Sequence, residues 1–255
     1  MNSYTDFAAV YDIFMDEIPY DSWCEFIVDI LKKYKIQEGL VLDLGCGTGN
    51  ITMRLAGKGY DMIGVDYSDQ MLSRAVEKSR DSGYDILYLL QDMRKFELYG
   101  TVRAVVSLCD SLNYLLEEDE LAECFRLVNN YLDPGGLFVF DFNTPYKYQQ
   151  IGDSTIAENR ESCSFIWENY YYPKEEINEY DLTVFIREEG NYYKKFQENH
   201  LQRGYSVGQM KEALEKANLE FLAVIDEKTG KEVTDTSERI YCIARERGKK
   251  KCQII

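Results

Sequence analysis

The chain is short of several things that large protein classes depend on. It has one histidine in 255 residues, so a His-rich metal site is excluded and no bound metal is expected. Its seven cysteines (Cys24, Cys46, Cys109, Cys124, Cys163, Cys242 and Cys252) are odd in number and contain no C-x-x-C pair. That is neither a zinc pattern nor a disulfide framework, and a reducing cytoplasm is the expected home. No apolar run reaches the roughly 18 residues that suggest a membrane span. The N-terminus, MNSYTDFAAVYD, carries acids and no basic-then-apolar pattern, so it is not read as a signal peptide. Positive charge is also scarce: 29 Lys and Arg stand against 45 Asp and Glu, a net charge of −16. Such a surface repels phosphate backbones, which makes nucleic acid a poor partner. The one basic cluster, Arg247, Lys249, Lys250 and Lys251, reads as a solvated tail. No internal repeat or low-complexity stretch is present.

What remains is an ordinary globular balance, 45% apolar and 29% charged. That excludes disordered and fibrous classes and suits one large domain with a modest insertion. Residues 1–38 read as helical, because Trp23, Phe26, Ile27, Ile30, Leu31 and Tyr34 recur at three- and four-residue steps. Short apolar runs then alternate with amphipathic stretches. The runs are VLDL (41–44), DMIGVD (61–66), DILYLL (85–90), VRAVVSLCD (102–110) and LFVFDF (137–142). The stretch at 117–136 places Leu121, Cys124, Phe125, Val128 and Leu132 on one helical face. Acids open it and Pro134-Gly135-Gly136 stops it. This alternation implies βαβ units and a parallel sheet.

The rhythm breaks near residue 145. Over 160–200 the pattern is alternating aromatic, in SFIWENYYY, YDLTVFIRE and NYYKKFQENH, which predicts antiparallel strands with a tight turn at Glu189-Gly190-Asn191. A helix at 206–218, a strand at 219–225 and a final antiparallel strand, ERIYCIARE (238–246), complete the chain. The fold expected is α/β with a β-rich insertion of roughly 50 residues.

The most informative segment is Val41-Leu42-Asp43-Leu44-Gly45-Cys46-Gly47-Thr48-Gly49, a buried-type strand that turns into a helix. Glycines there let backbone approach a ligand closely. The spacing is G-x-G-x-G. A dinucleotide fingerprint needs a glycine where Asn50 stands, and a P-loop needs Gly-Lys-Ser/Thr, so a nucleoside is indicated without a bound pyrophosphate. Asp66 ends the second strand, where an acid can accept from ribose hydroxyls. Gln91-Asp92-Met93 follows the third strand, where a polar acceptor could meet an adenine amino group. All three lie at strand carboxyl ends, where open α/β sheets bind ligands.

VLDLGCGTG, Asp66, QDM at 91–93 and the LDPGG turn at 132–136 resemble the class I S-adenosylmethionine-dependent methyltransferases, most clearly over residues 37–145. Tyr4-Thr5-Asp6-Phe7-Ala8, Tyr11-Asp12 and Cys109-Asp110-Ser111-Leu112-Asn113-Tyr114 resemble a bacterial small-molecule branch with a β-rich insertion after the fifth strand. The resemblance implies a doubly wound, mostly parallel seven-stranded sheet, a Rossmann-like methyltransferase fold, with the antiparallel insertion as a lid. It divides the chain into an N-terminal helical segment (1–36), an S-adenosylmethionine-binding α/β domain (37–145 and 206–247) and the lid on the substrate side (146–205).

It also implies roles. Gly45, Gly47 and Gly49, with Cys46 and Thr48 between them, would border the methionine part of the cofactor, and Asp43 its ammonium group. Asp66 would take the ribose, followed by Tyr67, Ser68 and Met71. Gln91, Asp92 and Met93 would flank adenine, while Cys109 and Asp110 would face the methyl group. Tyr11 could lie over the sulfonium, since an aromatic face attracts a cation. Asn113, Tyr114, Trp167 and His200 are the substrate-side candidates, and His200, Asp110 and Tyr11 the candidate catalytic groups. Several have plainer readings: core packing for Met71, Cys46 and Tyr11, a segment start for Asn113 and Tyr114, sheet core for Trp167, and a structural imidazole for His200.

The expected activity is methyl transfer from S-adenosyl-L-methionine to a small nitrogen or oxygen nucleophile, by a cytoplasmic monomer or weak dimer that engages neither membrane nor nucleic acid. A nucleotide-binding oxidoreductase would share the architecture, but the third glycine is missing. A non-catalytic cofactor-binding module and a methyltransferase acting on protein stay open. The NPPY-like tetrad of DNA amine methyltransferases is absent, with CDSLNY in its place.

Overall fold

A computed structural model describes residue 8, residues 10–188, residue 190 and residues 192–249. Two helices come first, α1 (Tyr11–Phe14) and α2 (Tyr20–Lys33). The single long helical stretch expected over 1–38 is therefore broken. Pro19 explains the break: its ring disfavours helical backbone at Ile18, so the helix restarts only after it. The α/β alternation follows as β1 (Leu40–Leu44), α3 (Asn50–Gly57), β2 (Asp61–Asp66), α4 (Asp69–Ser82), β3 (Ile86–Leu90) and β4 (Val102–Ser107). A 3-10 turn at Ser111–Tyr114 leads to α5 (Glu118–Tyr131) and β5 (Leu132–Asn143). After the insertion come α7 (Val207–Lys216), β10 (Leu219–Asp226) and β11 (Arg239–Glu246).

These strands form one seven-stranded sheet in the order β10-β11-β5-β4-β1-β2-β3. Its pairings are parallel except around β11, which runs antiparallel to both β5 and β10. Alternate residues of the central strands feed opposite faces. Leu42 and Leu44 of β1 pack toward Phe125 and Val128 of α5 and Met210 and Leu214 of α7. Val41 packs on the other face, with Ile27 and Leu31 of α2 and Leu55 of α3. Both faces are covered, which is why these strands read as continuous apolar runs.

The insertion contains α6 (Pro145–Ile151) and a separate antiparallel sheet, β6 (Ser154–Asn159), β7 (Cys163–Tyr172), β8 (Ile177–Arg187) and β9 (Tyr193–Arg203). Sequence reading finds three of its four strands. It misses β6, an edge strand whose STIAEN carries no aromatic alternation. In the expected turn at 189–191, Gly190 has φ 71°, while Glu189 and Asn191 lie outside the described residues.

The expected solvated tail needs correction at Lys249. Its ammonium donates to the carbonyls of Asn129 (2.5 Å), Asn130 (2.9 Å) and Leu132 (2.7 Å), at the C-terminal end of α5. A cation is favoured where a helix leaves carbonyls unpaired. Lys250 and Lys251 lie outside the described residues, as do Tyr4-Thr5-Asp6-Phe7. Among the described residues, no helix is long and apolar enough to cross a membrane.

Candidate active site

The carboxyl ends of β1, β2, β3 and β4 open into one cleft with a cavity of ≈ 270 Å³. That is near the lower end of the ~300–1,000 Å³ usual for small-molecule sites. The glycine loop forms its floor. Gly45 N and Cys46 N both donate to Val65 O, at 2.8 and 3.0 Å, which turns the chain sharply after β1. Gly45, Gly47 and Gly49 all have positive φ, which residues with a side chain rarely adopt. The glycines differ in what surrounds them. A Cβ on Gly45 would meet Ser111 at 2.6 Å, whereas one on Gly47 would have nothing within 4 Å. Gly47 therefore presents bare backbone to open space in the cleft wall.

Two buried carboxylates stand beside this loop. Asp43 is 2 % exposed and accepts from Thr52 Oγ1 at 2.6 Å. Burial pushes its carboxyl up to about 7, against the lowering effect of that hydrogen bond. Asp66 accepts from Gly47 N at 2.7 Å through Oδ2 and from Ser68 N at 2.9 Å through Oδ1. Burial also raises its pKa, opposed by these backbone donors. A carboxylate has about four acceptor positions, so each oxygen of Asp66 keeps one for a ligand.

Of the sixteen residues expected at the cofactor, Tyr11, Asp43, Gly45, Cys46, Gly47 and Thr48 line the cleft, as do Asp66, Tyr67, Ser68 and Met71. Gln91, Asp92, Met93 and Cys109 line it as well, whereas Gly49 and Asp110 do not. The 91–94 loop is largely self-satisfied. Gln91 Oε1 accepts from Glu97 N at 2.6 Å, and Arg94 holds Asp92 with contacts of 2.7–3.1 Å. Arg94 also draws the Asp92 carboxyl down, offsetting its burial.

From the N-terminal side, Tyr11 and Tyr20 line the cleft. Asp12 Oδ1 accepts from Thr48 Oγ1 (2.7 Å) and Asn50 Nδ2 (2.8 Å), and Oδ2 from Lys78 (2.8 Å). Ala8 and Val10 pack with Met71 and with Cys163, Phe165, Leu182 and Val184 of the insertion. Met71 both lines the cleft and packs in this apolar cluster. Burial, then the nearby Cys109, pushes the Tyr11 hydroxyl well above its ordinary pKa, so the phenol keeps its proton and is a hydrogen-bond donor rather than a base.

The wall after β4 is strained. Cys109 (φ 59°) and Asp110 (φ 53°) are consecutive non-glycine residues in the left-handed region, which costs roughly 1–2 kcal/mol each. Asp141 holds them there by accepting from Cys109 N at 3.2 Å and Asp110 N at 2.8 Å. Arg239 bridges Asp141 (2.6 Å) and Asp110, and it lies 5.3 Å from the centre of the Trp23 ring. Burial would raise the Asp110 pKa, but Arg239 and Lys147 outweigh it and the net shift is down. At Asp141 burial wins over Arg239 and the shift is up.

Asp110, a candidate catalytic group, therefore faces a buried ion-pair network behind the wall, where Gln202 also donates to it at 2.7 Å. Asn113 is fully buried and clips β5 to β9: its Nδ2 donates to Asn143 O (3.0 Å) and Arg203 O (2.6 Å), and its Oδ1 accepts from Asn143 N (2.9 Å). Of the substrate-side candidates only Tyr114 lines the cleft. Trp167 and His200 stand behind it in the insertion sheet, linked through Tyr180. Sequence reading named Asp12 only within the Tyr11-Asp12 pair, with no role, and passed over Tyr20, Asp141 and Arg239. Arg239 lies in a strand-like run with no motif around it, so only the fold brings it to Asp110.

A methyltransferase domain model matches residues 41–136, the stretch holding the glycine loop, Asp66 and the wall after β4. A methyltransferase-family protein of Geobacillus sp. (strain WCH70) is 36% identical over 245 residues, covering 95% of this chain and 99% of that protein. A solved S-adenosylmethionine-dependent methyltransferase from Clostridium acetobutylicum ATCC 824 superposes with a TM-score of 0.87 at 30% identity, over 96% of this chain and 99% of that one. A more distant relative is the dTDP-3-amino-3,4,6-trideoxy-alpha-D-glucopyranose N,N-dimethyltransferase of Streptomyces venezuelae, 30% identical over 138 residues, 53% of this chain and 56% of that protein.

Proposed function

We propose that this chain, which belongs to the S-adenosylmethionine-dependent methyltransferases, moves a methyl group to a nitrogen or oxygen of a small molecule by in-line displacement. One observation carries the reading: a single cleft unites the bare backbone of Gly47, the buried carboxylates Asp43 and Asp66, and the strained wall at Cys109. These residues fit the cofactor. Asp66 has acceptor positions for two ribose hydroxyls, Asp43 for the ammonium group, and Gly45 and Gly47 allow backbone to pass close to the methionine chain. Gln91, Asp92 and Met93 would hold the adenine, with Tyr67, Ser68 and Met71 beside them, and Tyr11 would offer its ring to the sulfonium. When bound, the cofactor supplies a methyl group on a cationic sulfur that is already a good leaving group.

The protein's own contribution is positioning and exclusion of water. Correct placement of reactants can supply ~7–11 kcal/mol of a barrier. Tyr11 and Tyr20 border the cleft, and the insertion sheet, packed behind Ala8, Val10 and Met71, is the element expected to act as the lid. A cleft of this size suits a small acceptor better than a folded protein, and the charge of −16 disfavours nucleic acid. The relative named for N,N-dimethylation of an amino sugar favours nitrogen over oxygen as the acceptor atom. The enzyme is read as a cytoplasmic monomer or weak dimer.

The test is an acceptor screen. The purified protein is mixed with S-adenosylmethionine and a panel of small primary and secondary amines, alcohols and phenols, and S-adenosylhomocysteine is quantified. Turnover with a small amine is the expected result. Turnover confined to protein or nucleic-acid acceptors would overturn the reading.

Asp43 adds a pH prediction. Only its ionised form attracts an ammonium group, and burial pushes its carboxyl up to about 7. Affinity for S-adenosylhomocysteine is therefore expected to fall as pH drops through about 7, approaching tenfold per unit below it. For stability the sign is opposite. A carboxyl raised by folding favours the empty protein at low pH, and this contribution is lost as pH rises through about 7. Calorimetric titration across pH checks the affinity. Asp43→Asn should flatten the profile, and an unchanged affinity in mildly acidic buffer would end the ammonium assignment.

A further inference from the structure

On a strand, residues two apart share a face, so Glu198, His200 and Gln202 of β9 form one row. Gln202 anchors this row to Asp110. His200 and Glu198 are buried, with side chains 3% and 6% exposed. Oε2 of Glu198 lies 3.2 Å from Nε2 of His200, and the Tyr114 hydroxyl lies 3.3 Å from Nδ1. The imidazole thus spans the gap between a buried acid and a tyrosine of the cleft wall. Tyr180 and Tyr114 pack around it, with ring centres at 5.6 and 6.0 Å. With Glu198 ionised, and so an acceptor only, the arrangement requires the ring proton on Nε2 and leaves Nδ1 to accept from Tyr114.

The geometry points to Tyr114–His200–Glu198 as a proton relay that deprotonates the methyl acceptor. It rests on the reading of the preceding subsection, because an ammonium or hydroxyl acceptor loses a proton at or before attack, and a neutral amine sheds its extra proton as the new bond forms. As the acceptor atom bonds to the methyl carbon, the carbon–sulfur bond breaks and its electron pair stays on sulfur. The acceptor proton passes to the Tyr114 oxygen while the Tyr114 proton passes to Nδ1 of His200. One proton leaves the acceptor, one arrives on the imidazole, and Tyr114 ends as it began. Glu198 stabilises the resulting imidazolium through Nε2–H. Tyr114 is the catalytic residue; His200 and Glu198 are positioning residues that act through it. The arrangement follows the logic of a reacting hydroxyl, a base and an orienting acid.

His200 is the chain's only histidine, so it gives the only imidazole signals in a long-range ¹H–¹⁵N spectrum. The experiment records them for the full chain saturated with S-adenosylhomocysteine, alongside Glu198→Gln and Tyr114→Phe. Thermal unfolding and S-adenosylhomocysteine affinity confirm that each variant folds. The unsubstituted protein should show the Nε2–H tautomer. Glu198→Gln should lose that single tautomer, because an amide can donate as well as accept. Tyr114→Phe should keep it, with the Nδ1 resonance shifted toward a nitrogen without a hydrogen bond. An Nδ1–H tautomer in the unsubstituted protein, or a spectrum indifferent to Glu198→Gln, would overturn the relay.

The kinetic arm uses the amine that gives turnover in the acceptor screen. Tyr114→Phe and Glu198→Gln should each lower kcat by roughly 10²-fold, with KM for S-adenosylmethionine unchanged and Glu198→Asp restoring part of the rate. Full kcat in Tyr114→Phe would overturn the relay and leave the proposed function standing. No turnover with any amine would count against the acceptor class, and the imidazole spectra would then decide the relay by themselves.

Discussion

Replacing Asp66 with alanine is expected to weaken S-adenosylhomocysteine binding by roughly 10²–10⁴-fold. In the proposed mode each carboxylate oxygen accepts one ribose hydroxyl. Hydrogen bonds to a charged group contribute ~1.5–3 kcal/mol each, so two give ~3–6 kcal/mol, at about 1.4 kcal/mol per tenfold. The structure adds a second consequence. The same oxygens accept from Gly47 N and Ser68 N, so alanine also releases the glycine loop from the end of β2. Asp66→Asn should fall between the two, because its amide keeps one oxygen but turns a donor toward a backbone N–H. Calorimetric titration measures both variants, with thermal unfolding as the folding control. A folded Asp66→Ala protein that binds within about threefold of the unsubstituted chain would remove the ribose assignment.

The largest stability effect is expected at Arg239, a residue without motif or cleft contact. Arg239→Met would leave Asp110 and Asp141 as buried neighbouring carboxylates without their shared cation. Removing one partner of a buried ion pair costs ~3–5 kcal/mol, a large part of a domain's net stability. Urea unfolding at neutral pH should show that loss. The deficit should narrow as the pH falls, because a protonated carboxyl is cheaper to bury. Adding Asp110→Asn to Arg239→Met should recover part of it, since one stranded charge is then gone. The strained Cys109–Asp110 turn depends on the same anchor, so cofactor affinity should also fall in the single variant. A melting curve unchanged by Arg239→Met would mean that water already reaches the two acids.

Much of the fold was legible because burial leaves a periodic trace. The strands β1, β2, β4 and β5 are buried on both faces, so each appears as an apolar run, and α5 and α7 show their buried stripes; β3, at the sheet edge, keeps its apolar run although Leu87 and Leu90 are exposed. The glycine loop and Asp66 were legible for a different reason. A sharp turn that exposes backbone requires glycine, and a strand-end acid sits a fixed distance along the chain from it. Strand β6 was not legible, since an edge strand with mixed polarity lacks the alternation that marks its neighbours. The helix break at Pro19 was visible in principle, but the apolar spacing around it hid the interruption.

The sequence by itself determined the α/β alternation from β1 to β5, the parallel sheet, the nucleoside-type loop and the acid at the second strand. These depend on contacts between residues near in the chain, or on a backbone conformation that one residue type permits. The tertiary structure decided which long-range partners meet. It turned Asp110 toward Arg239, 129 positions away, brought Tyr114 to His200 across 86, and laid Asp12 over Thr48. A buried charge takes its partner from whichever strand the fold places beside it, and nothing in the local spacing of the chain records that choice.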